Sequence, residues 1–215
     1  MDWGSLRRTT PVSREFGYDR GTPIDRYYID DFLGRNALAI AGRVLEIGDD
    51  TYTRRFGGSR VTRRDVFHAH GANPQATIIG DLAAADTVPS NSFDCEIVTQ
   101  TLQFIVDPVA ALRTLHRILR PGGVLLATVP ALTVVSSDSD EWSKIWYWSF
   151  TPALVTSMVD QVFAPGESTI EVAGTAVASM CTLQGLAVED VGIEALTPPH
   201  PDFPVLISFR CQKAA

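Results

Sequence analysis

Short apolar runs alternate with amphipathic stretches along most of this chain. "RVLEIG" (43–48) is a brief apolar run ending in glycine, the pattern of a buried strand. "TYTRRFGG" leaves room for only one or two helical turns before a second strand centred on Val61 to Phe67. "ATIIGDL" and "FDCEIVTQ" read as a third and a fourth strand. "DPVAALRTLHRIL" then sets Val109, Leu112, Leu115 and Leu119 on one helical face, with Ile118 beside them. "RPGG" stops that helix, since neither residue type continues it well. "VLLATVP" is a fifth strand, apolar throughout as in a sheet covered on both faces.

The second half continues the alternation. In "TPALVTSMVDQVF", Thr151 is placed to cap and Pro152 to start a helix whose apolar face is Leu154, Val155, Met158, Val159 and Val162. "STIEVAG" predicts a sixth strand, "AVASMCTLQGLAVEDV" a helix, and "PVLISFRCQ" the last strand. The prolines of "TPPHPDFP" make that segment a loop. At the other end, "IDRYYIDDFLGRNALAI" (24–40) predicts one or two amphipathic helices. They follow 23 polar residues punctuated by glycine and proline, read as an arm or lid. Strands alternating with helices predict an α/β, doubly wound, mainly parallel sheet. Ligands bind such sheets outside the carboxyl ends of the strands, where strand order reverses.

Composition narrows the functional classes. A hydrophobic fraction of 45% supports a sizeable core, and a formal net charge of −7 speaks against general nucleic-acid binding. Arg54, Arg55, Arg60, Arg63 and Arg64 are a local exception; they read either as a solvated edge or as a site for an anion. Cys95, Cys181 and Cys211 are odd in number and form no CxxC, so neither a disulfide framework nor a metal site is indicated. The N-terminus lacks an apolar signal core and no run reaches a membrane span, so the expected location is cytoplasmic. The oligomeric state is left open, a homodimer included.

Candidate chemistry gathers at the strand ends. Gly48 allows a tight turn and close approach of a ligand to the backbone. Asp65, 17 residues further on, offers a carboxylate suited to a ribose diol. Asp81 can accept from an adenine amino group, and Leu82 can give the ring an apolar surface. Gln100 and Thr101 end the fourth strand and face the same crevice. Each has a plainer reading: a turn, a helix cap or a satisfied polar group.

In this order and spacing, "VLEIGDD", "VTRRDV", "GDL", "FDCEIVTQTLQFI" and "DPVAALRTLHRILRPGGVLLATVP" resemble the class I S-adenosylmethionine-dependent methyltransferases, most closely their broad small-molecule branch. The resemblance is good over about residues 43 to 130, and "HRILRPGGVLLATVP" is its most specific part. It implies a Rossmann-like, mostly parallel seven-stranded sheet with a final antiparallel strand. Residues 1–42 would be an N-terminal arm and helices forming a lid, and 43–215 the methyltransferase domain.

The resemblance also implies a cofactor pose for S-adenosylmethionine and its product S-adenosylhomocysteine. Glu46, Gly48, Asp49 and Asp50 would hold the methionine portion, Asp65 with Val66 the ribose, and Asp81 with Leu82 the adenine. Gln100 and Thr101 would line the cofactor and the substrate entrance. Methyl transfer is then a direct in-line displacement on a small molecule, a sugar or a biosynthetic intermediate. It needs orientation and exclusion of water more than a fixed catalytic set. The turn departs from the family's E-x-G-x-G-x-G, because Asp50 and Tyr52 replace two glycines. Asp50 would repel a carboxylate and attract an ammonium or sulfonium group, and aspartate tolerates the left-handed conformation. That departure keeps two alternatives in view: an inactive methyltransferase-like scaffold, and a non-methylating enzyme on the same fold.

Remaining candidates are peripheral. Strand alternation would put His68 and His70 on one side, suited to proton transfer near neutral pH or simply two partly exposed polar residues. With no third ligand evident, they do not indicate a metal. Tyr28, Trp142 and Trp146 could cover a substrate or pack the core, and His200 lies in the proline-rich loop at the expected ligand end.

Overall fold

The computed structural model describes residues 8–71, 73–135 and 144–215. Seven strands form one sheet: β1 (Gly42–Ile47), β2 (Val61–His68), β3 (Ile78–Ile79), β4 (Phe93–Thr99), β5 (Leu119–Pro130), β6 (Ser168–Ala173) and β7 (Leu206–Gln212). Their order is β3-β2-β1-β4-β5-β7-β6. β7 runs antiparallel to both β5 and β6, and the other pairings are parallel. Strand order reverses between β1 and β4, so the carboxyl ends of those two strands flank the expected crevice. The predicted sheet is thus borne out.

Period-two alternation distributes the strand residues between two apolar layers. One layer holds Leu45, Phe93, Val98, Ala127 and Phe209 and is covered by α2 (Pro108–Ile118) and α3 (Pro152–Asp160). The other holds Val44, Cys95, Ile97, Val124 and Leu126 and is covered by α1 (Ile24–Arg35) and α4 (Ala176–Leu183). Each fully buried leucine or phenylalanine contributes roughly 1.5–3 kcal/mol. The helix starts follow their sequences: Asp107, Thr151 and Thr175 accept hydrogen bonds from Ala110, Leu154 and Ala178 N–H.

Three details differ from the pattern reading. "RPGG" lies inside the extent of β5 as a bulge: Phe93 pairs with Leu119 and Cys95 with Val124, and residues 120–123 loop out between them. The single predicted helix over 176–191 is two, α4 and α5 (Val188–Val191), because Gly185 takes φ +66° where the chain turns. β3 is only two residues long.

The arm, as far as it is described, is strapped to the α4–α5 corner. Val12 and Ser13 N–H donate to Gln184 O at 2.9 and 3.1 Å. Arg20 forms two hydrogen bonds to Asp190, at 2.8 and 2.6 Å. Glu189 accepts from Thr22 N–H at 2.7 Å and from its hydroxyl at 2.9 Å. α1 is a true layer helix: Ile24, Tyr28, Ile29, Phe32 and Leu33 are all buried in the second core.

Candidate functional site

Two cavities open at the carboxyl ends of the central strands, and Ile47, the last residue of β1, belongs to the walls of both. The larger, of about 660 Å³, is bounded by Glu46, Asp49, Tyr52, Thr99 and Gln100 and, from the arm and α1, by residues including Tyr18 and Arg26. The smaller, of about 320 Å³, is bounded by Phe67, His70, Asp81, Leu82, Thr101 and Ile105 among others. Neither cavity lies elsewhere in the fold than where the strand-order rule places a ligand.

Gly48 follows Ile47 directly in the chain and is itself in neither wall. Its φ is +93°, and a Cβ built on it would meet nothing within 4 Å, so bare backbone faces open space. Its N–H donates to Phe67 O at 2.9 Å and its carbonyl accepts from Asn73 Nδ2 at 2.5 Å, which fixes the turn to β2 and its following loop. Gln100 ends β4 with φ +47°, a conformation non-glycine residues seldom take, and lines the larger cavity.

Glu46 is 2% exposed and lines the larger cavity from below. Its two oxygens accept from Tyr52 N–H at 3.0 Å and Thr53 N–H at 2.7 Å, so a β1 side chain caps the turn that follows. Burial pushes its carboxyl up to about 7, against the pull of those hydrogen bonds. Asp49 caps the same turn by accepting from Thr51 N–H at 2.7 Å.

Asp50 behaves otherwise than the resemblance implied. Its carboxylate is 2.7 Å from Arg54 Nε and 3.2 Å from Arg64 Nε, and it is absent from both cavity walls. Its charge is paired with those arginines, and the carboxylate does not plug the crevice. No left-handed backbone is needed there either: among the described residues only Phe16, Asn91 and Gln100 are non-glycine with positive φ. Asp50 is where the helical turn begins, its carbonyl accepting from Arg54 N–H at 2.9 Å.

Asp65 is likewise placed elsewhere. It lies in the body of β2, level with Leu45, and is 2% exposed. Arg43 Nε donates to it at 2.7 Å and an Arg63 guanidinium nitrogen at 3.1 Å. Burial opposes its ionisation, but the two arginines override this and hold its carboxyl below the ordinary range. Val66 is buried in the sheet and lines neither cavity. The end of β2 belongs to His68, whose Nδ1 is 2.8 Å from its neighbour's carbonyl, His70 O. Of the two histidines only His70 lines a cavity, the smaller one. β2 ends at His68, so strand alternation does not govern where His70 points.

The residues expected on the adenine side lie together in one wall. Asp81 caps a short turn by accepting from Ala83 N–H at 2.9 Å, and Leu82 is buried with both residues in the smaller cavity wall. Thr101 lines the same cavity and Gln100 the larger. Of the substrate candidates, Tyr28 is a core residue whose hydroxyl donates to Leu196 O at 2.9 Å. Trp146 packs edge-on against Phe104, and its indole N–H donates to Trp148 O at 3.1 Å. His200 is exposed and accepts from Asp202 N–H. None of these three lines either cavity. Trp142 lies outside the described residues.

The pattern reading missed Tyr18, Arg26 and Tyr52. Arg26 Nε donates to Tyr18 Oη at 2.7 Å and another guanidinium nitrogen to Tyr52 Oη at 3.2 Å. Tyr52 stood in view as a replaced glycine, whereas Arg26 carries no motif and becomes visible only when the fold brings the start of α1 to the turn after β1. The arginine-rich segment is an internally neutralised surface: Arg54, Arg55, Arg63 and Arg64 each hold an aspartate, and Arg60 donates to Ala37 O at 3.0 Å. Among the described residues no three His, Cys, Asp or Glu side chains group as a metal site, and no helix is long and apolar enough to cross a membrane.

Comparison with known proteins bears on the fold that carries this site. Residues 50–127 match the family described as a methyltransferase domain. A 77-residue stretch is 36% identical to the ubiquinone/menaquinone biosynthesis C-methyltransferase UbiE of Hahella chejuensis, covering 34% of this chain and 31% of that protein. A solved S-adenosylmethionine-dependent methyltransferase from Archaeoglobus fulgidus shares the fold with a TM-score of 0.57 at 13% identity, over 87% of this chain and 94% of its own. The cyclase SpnF does so with a TM-score of 0.57 at 14% identity, over 97% and 89%. At such identities the two structures speak for the fold alone.

The resemblance read from the strand-end motifs is borne out: the chain carries the class I S-adenosylmethionine-dependent methyltransferase fold, with the matched segment beginning in the turn after β1.

Proposed function

We propose that this protein transfers a methyl group from S-adenosylmethionine to a small molecule held in the larger cavity. One observation carries the reading. Two unequal cavities meet at Ile47 beside bare backbone at Gly48, at the point of strand reversal. The residues present fit the cofactor. The smaller cavity offers Leu82, Phe67 and Ile105 to a flat ring and Asp81 to its amino edge. The open face of Gly48 accommodates the thioether region, and Glu46 and Asp49 set acidic groups toward an ammonium. The fit departs from the family in one respect: no carboxylate ends β2, and His70, in the wall of the smaller cavity, would be the polar side chain available to the ribose.

The bound cofactor would supply an activated methyl group. The chain's own part is orientation and exclusion of water. The arm, latched through Arg20–Asp190 and Thr22–Glu189, contributes to the wall of the larger cavity, as does Gln100 at the end of β4. His68 and His70 remain base candidates for a hydroxyl acceptor, and of the two His70 has the cavity access.

A non-methylating activity on this fold is the second reading, motivated by the altered glycine turn, and the cyclase SpnF is a fold relative that carries such a name. Titration calorimetry with S-adenosylhomocysteine separates the readings from a scaffold role. Binding in a one-to-one ratio is expected; absence of heat and of any thermal shift would sink the proposal. Transfer of a labelled methyl group to extract-derived small molecules then distinguishes methylation from other chemistry.

A further inference from the structure

Most arginines near the crevice are neutralised at contact distance. Arg20 holds Asp190 at 2.6 Å, Arg54 holds Asp50 at 2.7 Å, Arg55 holds Asp30 at 2.7 Å and Arg64 holds Asp50 at 3.2 Å. Arg26 is the exception. Its side chain is 30% exposed, in the wall of the larger cavity, and the nearest carboxylate, Asp25, is 3.8 Å away. One Asp25 oxygen is already taken by Arg26 backbone N–H at 2.9 Å. Burial works against the guanidinium's charge, but Asp25 and the flanking phenols outweigh it, so Arg26 stays charged.

Donor arithmetic shows what the cluster lacks. Arg26 has five N–H groups and uses them on two phenol oxygens, at 2.7 and 3.2 Å. Tyr18 and Tyr52 therefore act as acceptors toward Arg26, and each keeps an O–H to donate. Among the described residues neither hydroxyl hydrogen meets an acceptor, and the remaining guanidinium N–H groups meet none either. Tyr18 comes from the arm, Arg26 from the first turn of α1, and Tyr52 from the turn after β1. Packing does not explain the meeting, because Tyr18 is 58% exposed. The start of α1 adds to it: Pro23 lines the cavity and gives the helix no side-chain cap, so the partial positive charge of the helix start is directed there. The acidic groups in the same wall each have a partner: Asp30 is held by Arg55, and Glu46 and Asp49 accept from backbone N–H groups.

We infer that Arg26, with the hydroxyls of Tyr18 and Tyr52, forms an oxyanion site in the larger cavity, taking a carboxylate or phosphate of the small molecule bound there. This deepens the proposed function and rests on it only for the source of the anion: the amino-acid end of the cofactor, or an acidic group on the acceptor. Planar guanidinium geometry favours a bidentate oxyanion, and two phenol donors complete its coordination.

The test uses the full chain with S-adenosylhomocysteine, with 5′-methylthioadenosine, which lacks the amino-acid end, and with inorganic phosphate. If the cofactor supplies the anion, Arg26→Gln weakens S-adenosylhomocysteine about tenfold or more and leaves methylthioadenosine unchanged. Tyr52→Phe weakens it several-fold in the same selective way. If the acceptor supplies it, S-adenosylhomocysteine binding is unchanged, but phosphate raises the melting temperature of the saturated wild type and not of Arg26→Gln. A variant indistinguishable from wild type toward all three ligands overturns the site. Should Arg26→Gln fold poorly, the Tyr18→Phe/Tyr52→Phe double variant decides by the same comparisons, since it removes only hydroxyls. If the wild type binds neither nucleoside, the methyltransferase reading fails, while the phosphate shift still judges the oxyanion site.

Discussion

Replacing Asp65 by asparagine separates two accounts of the same residue. A ribose-binding carboxylate at the crevice would, when lost, reduce cofactor affinity and leave the fold intact. The geometry says the reverse. Asp65 is 2% exposed within β2 and is held by Arg43 at 2.7 Å and Arg63 at 3.1 Å. Removing one partner of a fully buried pair costs roughly 3–5 kcal/mol. Here the arginine side chains retain 26% and 62% exposure and can rehydrate, so the expected loss is about 2–3 kcal/mol. For a chain of this size that is a fall in Tm of roughly 5–10 °C. Asp65 is held below the ordinary carboxylate range, so its contribution is present above its unfolded pKa and is lost as pH falls through the folded value. The gap between wild type and Asp65→Asn should therefore be full at pH 7 and close in acid. Urea melts across pH 3 to 7, paired with calorimetry on S-adenosylhomocysteine well below the melting temperature, measure both quantities. Affinity is expected to stay within about twofold. A variant that melts like wild type yet loses the ligand would refute this reasoning and restore Asp65 to the ribose.

Further outcomes follow from other buried groups. Gly48→Ala should cost about 1–2 kcal/mol from its left-handed backbone while lowering S-adenosylhomocysteine affinity by more than tenfold, because the new methyl group enters open crevice; equal losses in both would contradict this. Glu96 is fully enclosed in β4 with both oxygens unpartnered, and burial holds it well above the ordinary range despite the influence of Lys213. Glu96→Met should stabilise the chain by about 1–3 kcal/mol at pH 8, with the gain growing as pH rises from 5; a gain independent of pH in urea melts would count against it. Glu46 is raised to about 7, so its contribution is full below its unfolded pKa and is lost as pH climbs to that value. Glu46→Gln should remove roughly 3 kcal/mol of pH-dependent stability between about pH 4.5 and pH 7, and an unchanged slope in that window would dismiss the assignment.

The sheet could be read from the chain because burial on both faces leaves a simple trace. "VLLATVP" and "FDCEIVTQ" have no alternative to interior strands, and the observed β5 and β4 contain them. Helix starts were equally readable at Asp107 and Thr151, where a capping side chain precedes proline. The site was readable only where backbone decides it. The Asp81–Leu82 turn and the Gln100 strand end lie in the cavity walls, and Gly48 directly follows Ile47, which lines both, since strand termini fix them. Side-chain destinations were not readable. Asp65 and Asp50 sit at positions that suit a ligand, but each finds two arginines, Arg43 and Arg63 or Arg54 and Arg64, that local pattern does not reveal as partners. Tyr28 shows the same limit, because its burial depends on a contact with Leu196, far along the chain.

The departure from the family's glycine turn then acquires a physical explanation. Between β1 and β2 only residues 48–60 are available, and they are taken up by tight helical turns that begin at once after Asp50. A helix starting there needs capped N–H groups more than it needs glycine, and Glu46 and Asp49 provide the caps. Asp50 ties the turn to β2 through Arg64, so rigidity comes from an ion pair where the family relies on close backbone packing. Gly48 keeps its backbone free of a side chain at the first position after β1, and it faces open space there. The second replacement, Tyr52, is then free to carry a side chain into the larger cavity, and it reaches Arg26 there. The same substitution that weakens the glycine signature thus contributes a hydroxyl to the oxyanion site. Restoring glycine at position 52 should therefore impair anion recognition instead of improving the cofactor turn, with the loss confined to ligands that carry a carboxylate or phosphate at that end.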